Sequence, residues 1–281
     1  MNVMNNIRIS WSVLRCKLTC LSYTIMIVIT IMFNFRCSDF FMAPGPQPSY
    51  VNGEIDFIHH LNVFGILRPD SLQPGLPQSF IKLEPTFPVD NWELENLSDV
   101  SVLIYRIIDN VKVGTFQFTY TDLGSYSDSL YRHPEFYPQA GESYQLVCEA
   151  QGYPTLIAHT IVPYPPVIAS ESMFVSSSEI RFQIIRDAHA GLYEVIVLGS
   201  NYYQAERFLR AESANTYISI KLLQDGGSPS MIMLYAYDLN LADYLTANIS
   251  IKPNIYQSDF STVENGYGCF GSMNLTCYDL D

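Results

Sequence analysis

The stretch whose spacing could serve cofactor chemistry is Gly266-x-Gly-x-x-Gly271. It matches the dinucleotide fingerprint, in which glycines open a tight turn and the next helix N-terminus holds a pyrophosphate. The context argues against that role. Ten residues follow Gly271, too few for the helix and second strand the cradle needs. Gly266, Gly268 and Gly271 are therefore expected to be structural, at positive φ or where backbone packs too closely for a side chain. No cofactor is expected.

Other reactive residue types are scattered. His59 and His60 are neighbours between two candidate strands, where successive side chains point to opposite faces and would not chelate one ion. His133, His159 and His189 stand singly. No H-E-x-x-H and no G-x-S-x-G is present, so neither a zinc protease helix nor a nucleophile elbow is indicated. A triad assembled from separate loops stays open, and carboxylates are too many for a glycosidase pair to be chosen. Asp238, Asn240 and Asp243 are oxygen donors on one turn. Calcium ligation is one reading. The spacing is not that of an EF-hand, and capping of a short helix fits it better. Tyr120, Tyr126, Tyr131, Phe136 and Tyr137 flank a polar loop and could stack on sugars or peptides; half-buried strand-end positions are the alternative. No catalytic residue and no metal ligand is assigned, and the expectation is a protein that is not an enzyme.

Six cysteines occur. Cys16, Cys20 and Cys37 are in the first 37 residues. Cys148, Cys269 and Cys277 remain, without the paired spacing of a zinc site. An oxidising compartment would permit a local disulfide between Cys269 and Cys277.

The front of the chain sets the compartment. Arg8, Arg15 and Lys17 precede the apolar run 21–35, and Cys37 follows. Residues 1–36 read as a lipoprotein signal, with Cys37 as the lipidated residue. The run spans about 22 Å at 1.5 Å per residue, short of a bilayer crossing. Phe35 and Arg36 stand where small residues are usual, so an uncleaved anchor or simple secretion are the alternatives. All three place the body outside the cytoplasm, in the cell envelope. Residues 37–49, with APGPQPS, read as an extended tether.

The net charge is −13. Without residues 1–36, 11 basic residues face 28 acidic ones, a net −17. That field repels nucleic acid, which is excluded as a partner. Charged residues are 15% of the chain, while Tyr and Phe number 20 and 16. Such a composition favours strands.

Strands are expected at residues 51–58, 61–67, 99–109, 114–121, 144–150 and 155–162, the last two as a hairpin. Residues 71–88, with four prolines, are expected to be a surface loop. Pro163-Tyr-Pro-Pro166 breaks the pattern and marks a boundary, unless it is a loop within one larger sandwich. Beyond it, residues 179–186, 191–199, 216–223 and 231–237 read as strands, the last two as a hairpin. Residues 201–213 read as a short helix or a loop, and residues 238–246 as one short helix. The fold class is all-β: two Ig-like or fibronectin-like antiparallel sandwiches in tandem, over 50–163 and 164–281, with one or two short helices near the C-terminus.

The run DLNLADYLTANISIKPN with STVENGYGCFGSMN, together with Val51-Asn-Gly53, GESYQL at 141–146 and AHTIVPYPP at 158–166, resembles a family of Bacteroidetes-type envelope lipoproteins. That family is a domain of unknown function with a glycine-rich C-terminal signature. The resemblance implies company with outer-membrane uptake receptors of the TonB-dependent kind and supplies no catalytic residues. The function expected is thus a non-enzymatic envelope lipoprotein, a binding or accessory module whose ligand the residues do not name. Surface adhesion or assembly, and a hydrolase on a β scaffold, are the alternatives.

Overall fold

The computed structural model describes residues 59–69, 78–86, 97, 99–121, 130–210, 214–223, 227–246 and 261–280. The signal 1–36, Cys37, the tether 37–49, the strand expected at 51–58, and Tyr126 lie outside the described residues. The remainder forms one compact unit with two large apolar cores and a smaller cluster around Leu192, Leu241 and Met273.

The first core is wrapped by β1 (Leu61–Leu67), β2 (Phe80–Pro85), β3 (Ser101–Ile108), β4 (Val111–Thr121), β5 (Leu130–Arg132), β6 (Ser143–Glu149) and β7 (Leu156–Ile161). Most of these strands bury alternate residues, as the period of two requires, whereas β4 buries only Phe118. Leu61, Val63 and Leu67 of β1 point inward, as do Val102 and Ile104 of β3, Leu146 and Cys148 of β6, and Leu156 and Ala158 of β7. The sheet order β1-β2-β5-β4-β3-β6-β7 brings both ends of the ladder against one cluster. β3 and β4 turn through Asp109 and Asn110, both at positive φ (50° and 62°), the backbone a two-residue hairpin loop demands and Asp and Asn tolerate. β6 and β7 pair as an antiparallel hairpin.

β2 corrects the loop expected at 71–88. Its prolines hid an alternation: Ile81, Leu83 and Pro85 are buried. Pro85 is the last residue of the strand, where a missing donor is tolerated.

The second core lies between two layers. β9 (Glu179–Ile184) pairs with β8 (Phe174–Val175) and β12 (Thr216–Lys221). Facing them, β10 (Ala190–Gly199) lies between β11 (Tyr202–Leu209) and β13 (Pro229–Asp238). Ile180, Phe182, Ile218 and Ile220 of one layer meet Tyr193, Val195, Ile232 and Leu234 of the other. Two expectations are overturned here. β12 and β13 are not a hairpin: β12 stays with β9, and β13 crosses to β10. Both strands carry one apolar face, and those faces are buried against each other across the core rather than side by side. Residues 201–213 were expected as helix or loop, yet Tyr202–Leu209 is a strand. Gln204 and Glu206 on its inward positions broke the alternation that Tyr202 and Phe208 carry.

A short helix, α1 (Leu239–Thr246), follows β13. β14 (Val263–Glu264) pairs with β7, and the chain ends in β15 (Gly266–Asp279). β15 belongs to both halves. Residues Gly266 to Ser272 run parallel to β1, and Met273 to Asp279 run antiparallel to β13. The sheet is therefore mixed, which corrects the expectation of purely antiparallel sheets. Phe270 is buried in the first core, and Tyr278 packs on the second. The segment 163–166 is strapped to the same strand. Pro163 O accepts from Asn274 Nδ2 (3.0 Å), and Pro166 O from the Tyr278 hydroxyl (3.1 Å).

Candidate functional site

Among the described residues, the buried polar side chains Thr160, Asp238 and Ser272 cluster between β7, α1 and β15. Asp238 ends β13 and precedes α1. Its Oδ1 accepts from Leu241 N at 2.9 Å, the N-cap bond that satisfies an otherwise orphaned helix donor. Its Oδ2 accepts from the Thr160 hydroxyl of β7 at 2.5 Å. The backbone N–H groups of Asn240 and Ser272 also donate to it. Thr160 Oγ1 lies 2.9 Å from Ser272 Oγ, and Ser272 Oγ donates to Ile161 O at 3.1 Å. One carboxylate thus joins β7, α1 and β15.

Asp238 is 3% exposed, and burial raises its pKa from 3.8 to about 6, against the pull of its donors. The Thr160 hydroxyl donates to Oδ2 and Ser272 donates to Ile161 O, so the donors around Asp238 favour its charged form while burial opposes it.

Asn240 donates to His159 O (2.5 Å) and Phe270 O (2.8 Å), which ties the first turn of α1 to β7 and β15. Asp238 caps and Asn240 braces; with Asp243 they do not converge on one point. Among the described residues, no group of three or more His, Cys, Asp or Glu side chains is placed to hold a metal ion.

Two clefts open beside this knot. One, of about 260 Å³, is lined by Ser143, His159, Ile161, Leu239 and Asn240 with the knot at its floor. The other, of about 350 Å³, runs along Tyr164, Pro165 and Pro166 to Ile185 and Asp187. His189 lines both. Tyr164 N donates to Asp187 Oδ2 (2.8 Å), so the wall of the second cleft is pinned across the joint.

No protein-family model matches this chain. No curated protein matches it. Among solved structures, it is similar to the chicken interferon gamma receptor alpha chain, at 7% identity and a TM-score of 0.20, over 78% of this chain and 96% of that one.

The three glycines of the terminal motif are packed against backbone and side chains. Gly268 has φ +103°, and a Cβ there would lie 1.9 Å from Val63 O. At Gly266 a Cβ would meet Leu61 O at 2.7 Å, and at Gly271 it would meet Asp238 Oδ1 at 2.7 Å. β1 and α1 seat against β15 because these positions carry no side chain. Gly191, outside any glycine motif, does the same from β10, with a would-be Cβ 2.6 Å from Ala242 Cβ.

The disulfide expected between Cys269 and Cys277 is not formed. Both lie on the single strand β15. Eight residues of extended chain span about 26 Å, whereas a disulfide needs Cα atoms within about 7 Å. Cys269 is buried and donates to Asn240 O at 3.7 Å; burial pushes its thiol up to about 12.

His59 packs edge-on to Tyr153, and His60 to Tyr267, so the pair does not converge. Tyr131 and Phe136 are core residues, and Tyr137 is exposed. The Tyr131 hydroxyl donates to Leu97 O at 2.5 Å. Among the described residues no helix is long and apolar enough to cross a membrane.

Proposed function

We infer that this chain is a non-enzymatic protein of the cell envelope, held to the outer membrane by a lipid on Cys37, and that it serves as a binding or accessory module beside an outer-membrane uptake receptor of the TonB-dependent kind. In this reading its body is two Ig-like or fibronectin-like sandwiches in tandem, fixed to each other by β15. The observation that supports its non-enzymatic part is the commitment of Asp238. It is the buried carboxylate with the pKa shift an acid–base catalyst would want, yet its oxygens accept the N-cap bond, the Thr160 hydroxyl and two further backbone donors. Its neighbours Thr160 and Ser272 are bonded into the same knot. A group whose two oxygens are both bonded in this way holds elements together.

The test has two arms on the full chain. Mass spectrometry of the N-terminus should find an acylated Cys37 with residues 1–36 removed. Affinity isolation from solubilised membranes should recover a receptor barrel. An unmodified chain that keeps residues 1–36, or hydrolytic turnover abolished by Asp238→Asn, contradicts the proposal.

A further inference from the structure

The two described sheets have four terminal strands, and they are not alike. β8 and β14 are two residues long. β12 carries Lys221 at its end, and the Lys221 carbonyl is covered by Gln204 Nε2 at 2.9 Å. Short edges, edge lysines and covered carbonyls are ways a sheet avoids adding a strand. β11 lacks these three, and its own charges are engaged within the subunit, Arg207 with Glu194 at 2.8 Å and Glu206 with Gln204 at 2.7 Å. It runs eight residues, pairs with β10 without a register break, contains no proline, and among the described residues has only its β10 side occupied in the sheet order.

Its free side can be assigned. Arg210 N donates to Gly191 O of β10. Counting back in steps of two, the backbone groups of Phe208, Glu206, Gln204 and Tyr202 also face β10. The N–H and C=O of Tyr203, Ala205, Arg207 and Leu209 therefore point away from it. Tyr203 and Leu209 are exposed as well, at 66% and 65%.

We propose that β11 is the interface of a symmetric homodimer, in which the β11 strands of two copies pair antiparallel and join their sheets into one. A two-fold axis normal to the sheet keeps side chains on their own face only when the paired residue numbers sum to an even value. Two such registers overlap most of the strand. One centres on Glu206 and sets the two Glu206 carboxylates directly opposite each other, which is destabilising. The other centres on Ala205. It pairs Ala205 with its own copy and sets Tyr203 opposite Arg207 on both sides, an aromatic–guanidinium contact made twice. It also places the outward groups of residues 203, 205 and 207 in hydrogen-bonded pairs. Charge selects the Ala205 register, and the same patch meets itself, as an isologous interface must.

The experiment uses the full chain in detergent micelles, with sedimentation equilibrium as the first readout. The expected result is a concentration-dependent dimer that is lost in Ala205→Pro. The Ala205 N–H faces away from β10 and has no partner among the described residues, so that variant is expected to keep its fold, which the far-ultraviolet circular dichroism spectrum checks. The second readout is oxidative cross-linking. Paired Ala205 residues would stand about 5.5 Å apart at Cα, within disulfide reach. Ala205→Cys should yield a dimer band above that of the parent chain, with a 205–205 linkage identified by peptide mass, and Glu206→Cys should not. A chain monomeric at every concentration overturns the proposal. So does preferential linking through Glu206→Cys, or a monomer whose β11 edge instead takes up an extended peptide.

Discussion

The Thr160 hydroxyl meets the Asp238 carboxylate at 2.5 Å across 78 residues of chain. The contact joins the last strand of the first half to the helix cap of the second. Removing the hydroxyl in Thr160→Val leaves Oδ2 short of a donor at a buried position. The variant should lose about 1–3 kcal/mol in denaturant unfolding. It should also raise the Asp238 pKa further, since this hydrogen bond favours the charged form, and carboxyl NMR titration reads that shift.

Stability should depend on pH through the same carboxyl. Asp238 titrates at about 6 in the folded chain against 3.8 ordinarily. Between those values the folded state holds a proton that the unfolded chain has released. The contribution is thus fully present below 3.8, falls as pH rises through 6, and is flat above. Its size is about 3 kcal/mol for a shift of this order. Denaturant midpoints of the wild type should fall from pH 4 to pH 7 relative to those of Asp238→Asn. A constant difference between the two would contradict the assignment.

Two glycines at positive φ separate strain from collision. Gly152 has φ +86° and nothing within 4 Å of a Cβ, whereas Gly268 has φ +103° and Val63 O at 1.9 Å. Gly152→Ala should cost about 1 kcal/mol from backbone strain alone. Gly268→Ala should cost more than about 3 kcal/mol, because strain and overpacking act together and β1 must move. Thermal unfolding of both variants distinguishes the two costs.

The strap at the joint depends on one hydroxyl. Tyr278 donates to Pro166 O (3.1 Å) and accepts from Ile168 N (3.0 Å). Tyr278→Phe keeps the ring and strands both backbone groups, so a loss of about 1–3 kcal/mol is expected. Amide exchange at Ile168 should rise with it, and unchanged exchange would show that the strap is idle.

Strands whose alternation is clean, such as residues 101–108 of β3 and 190–199 of β10, could be read directly, as could the Asp238 cap. The all-β class followed from them. What could not be read is pairing across distance. β1 meets β15 in a parallel register from opposite ends of the described chain, because both must bury one face on the same core, and no local pattern states that. β2 was hidden by prolines at its borders, and β11 by polar residues at an edge where inward positions still reach water. The Thr160–Asp238–Ser272 knot is assembled from three elements that follow no common spacing. The glycine motif was visible as a constraint, but the backbone it admits lies far away in sequence.

The central claim is that β15 makes the two cores one cooperative unit. Native-state hydrogen exchange tests it most directly, with Ile104 reporting on the first core and Ile220 on the second. The account predicts equal opening free energies at the two amides, and an equal fall at both in Gly268→Ala. Separate free energies, with Gly268→Ala lowering Ile104 and sparing Ile220, would contradict it.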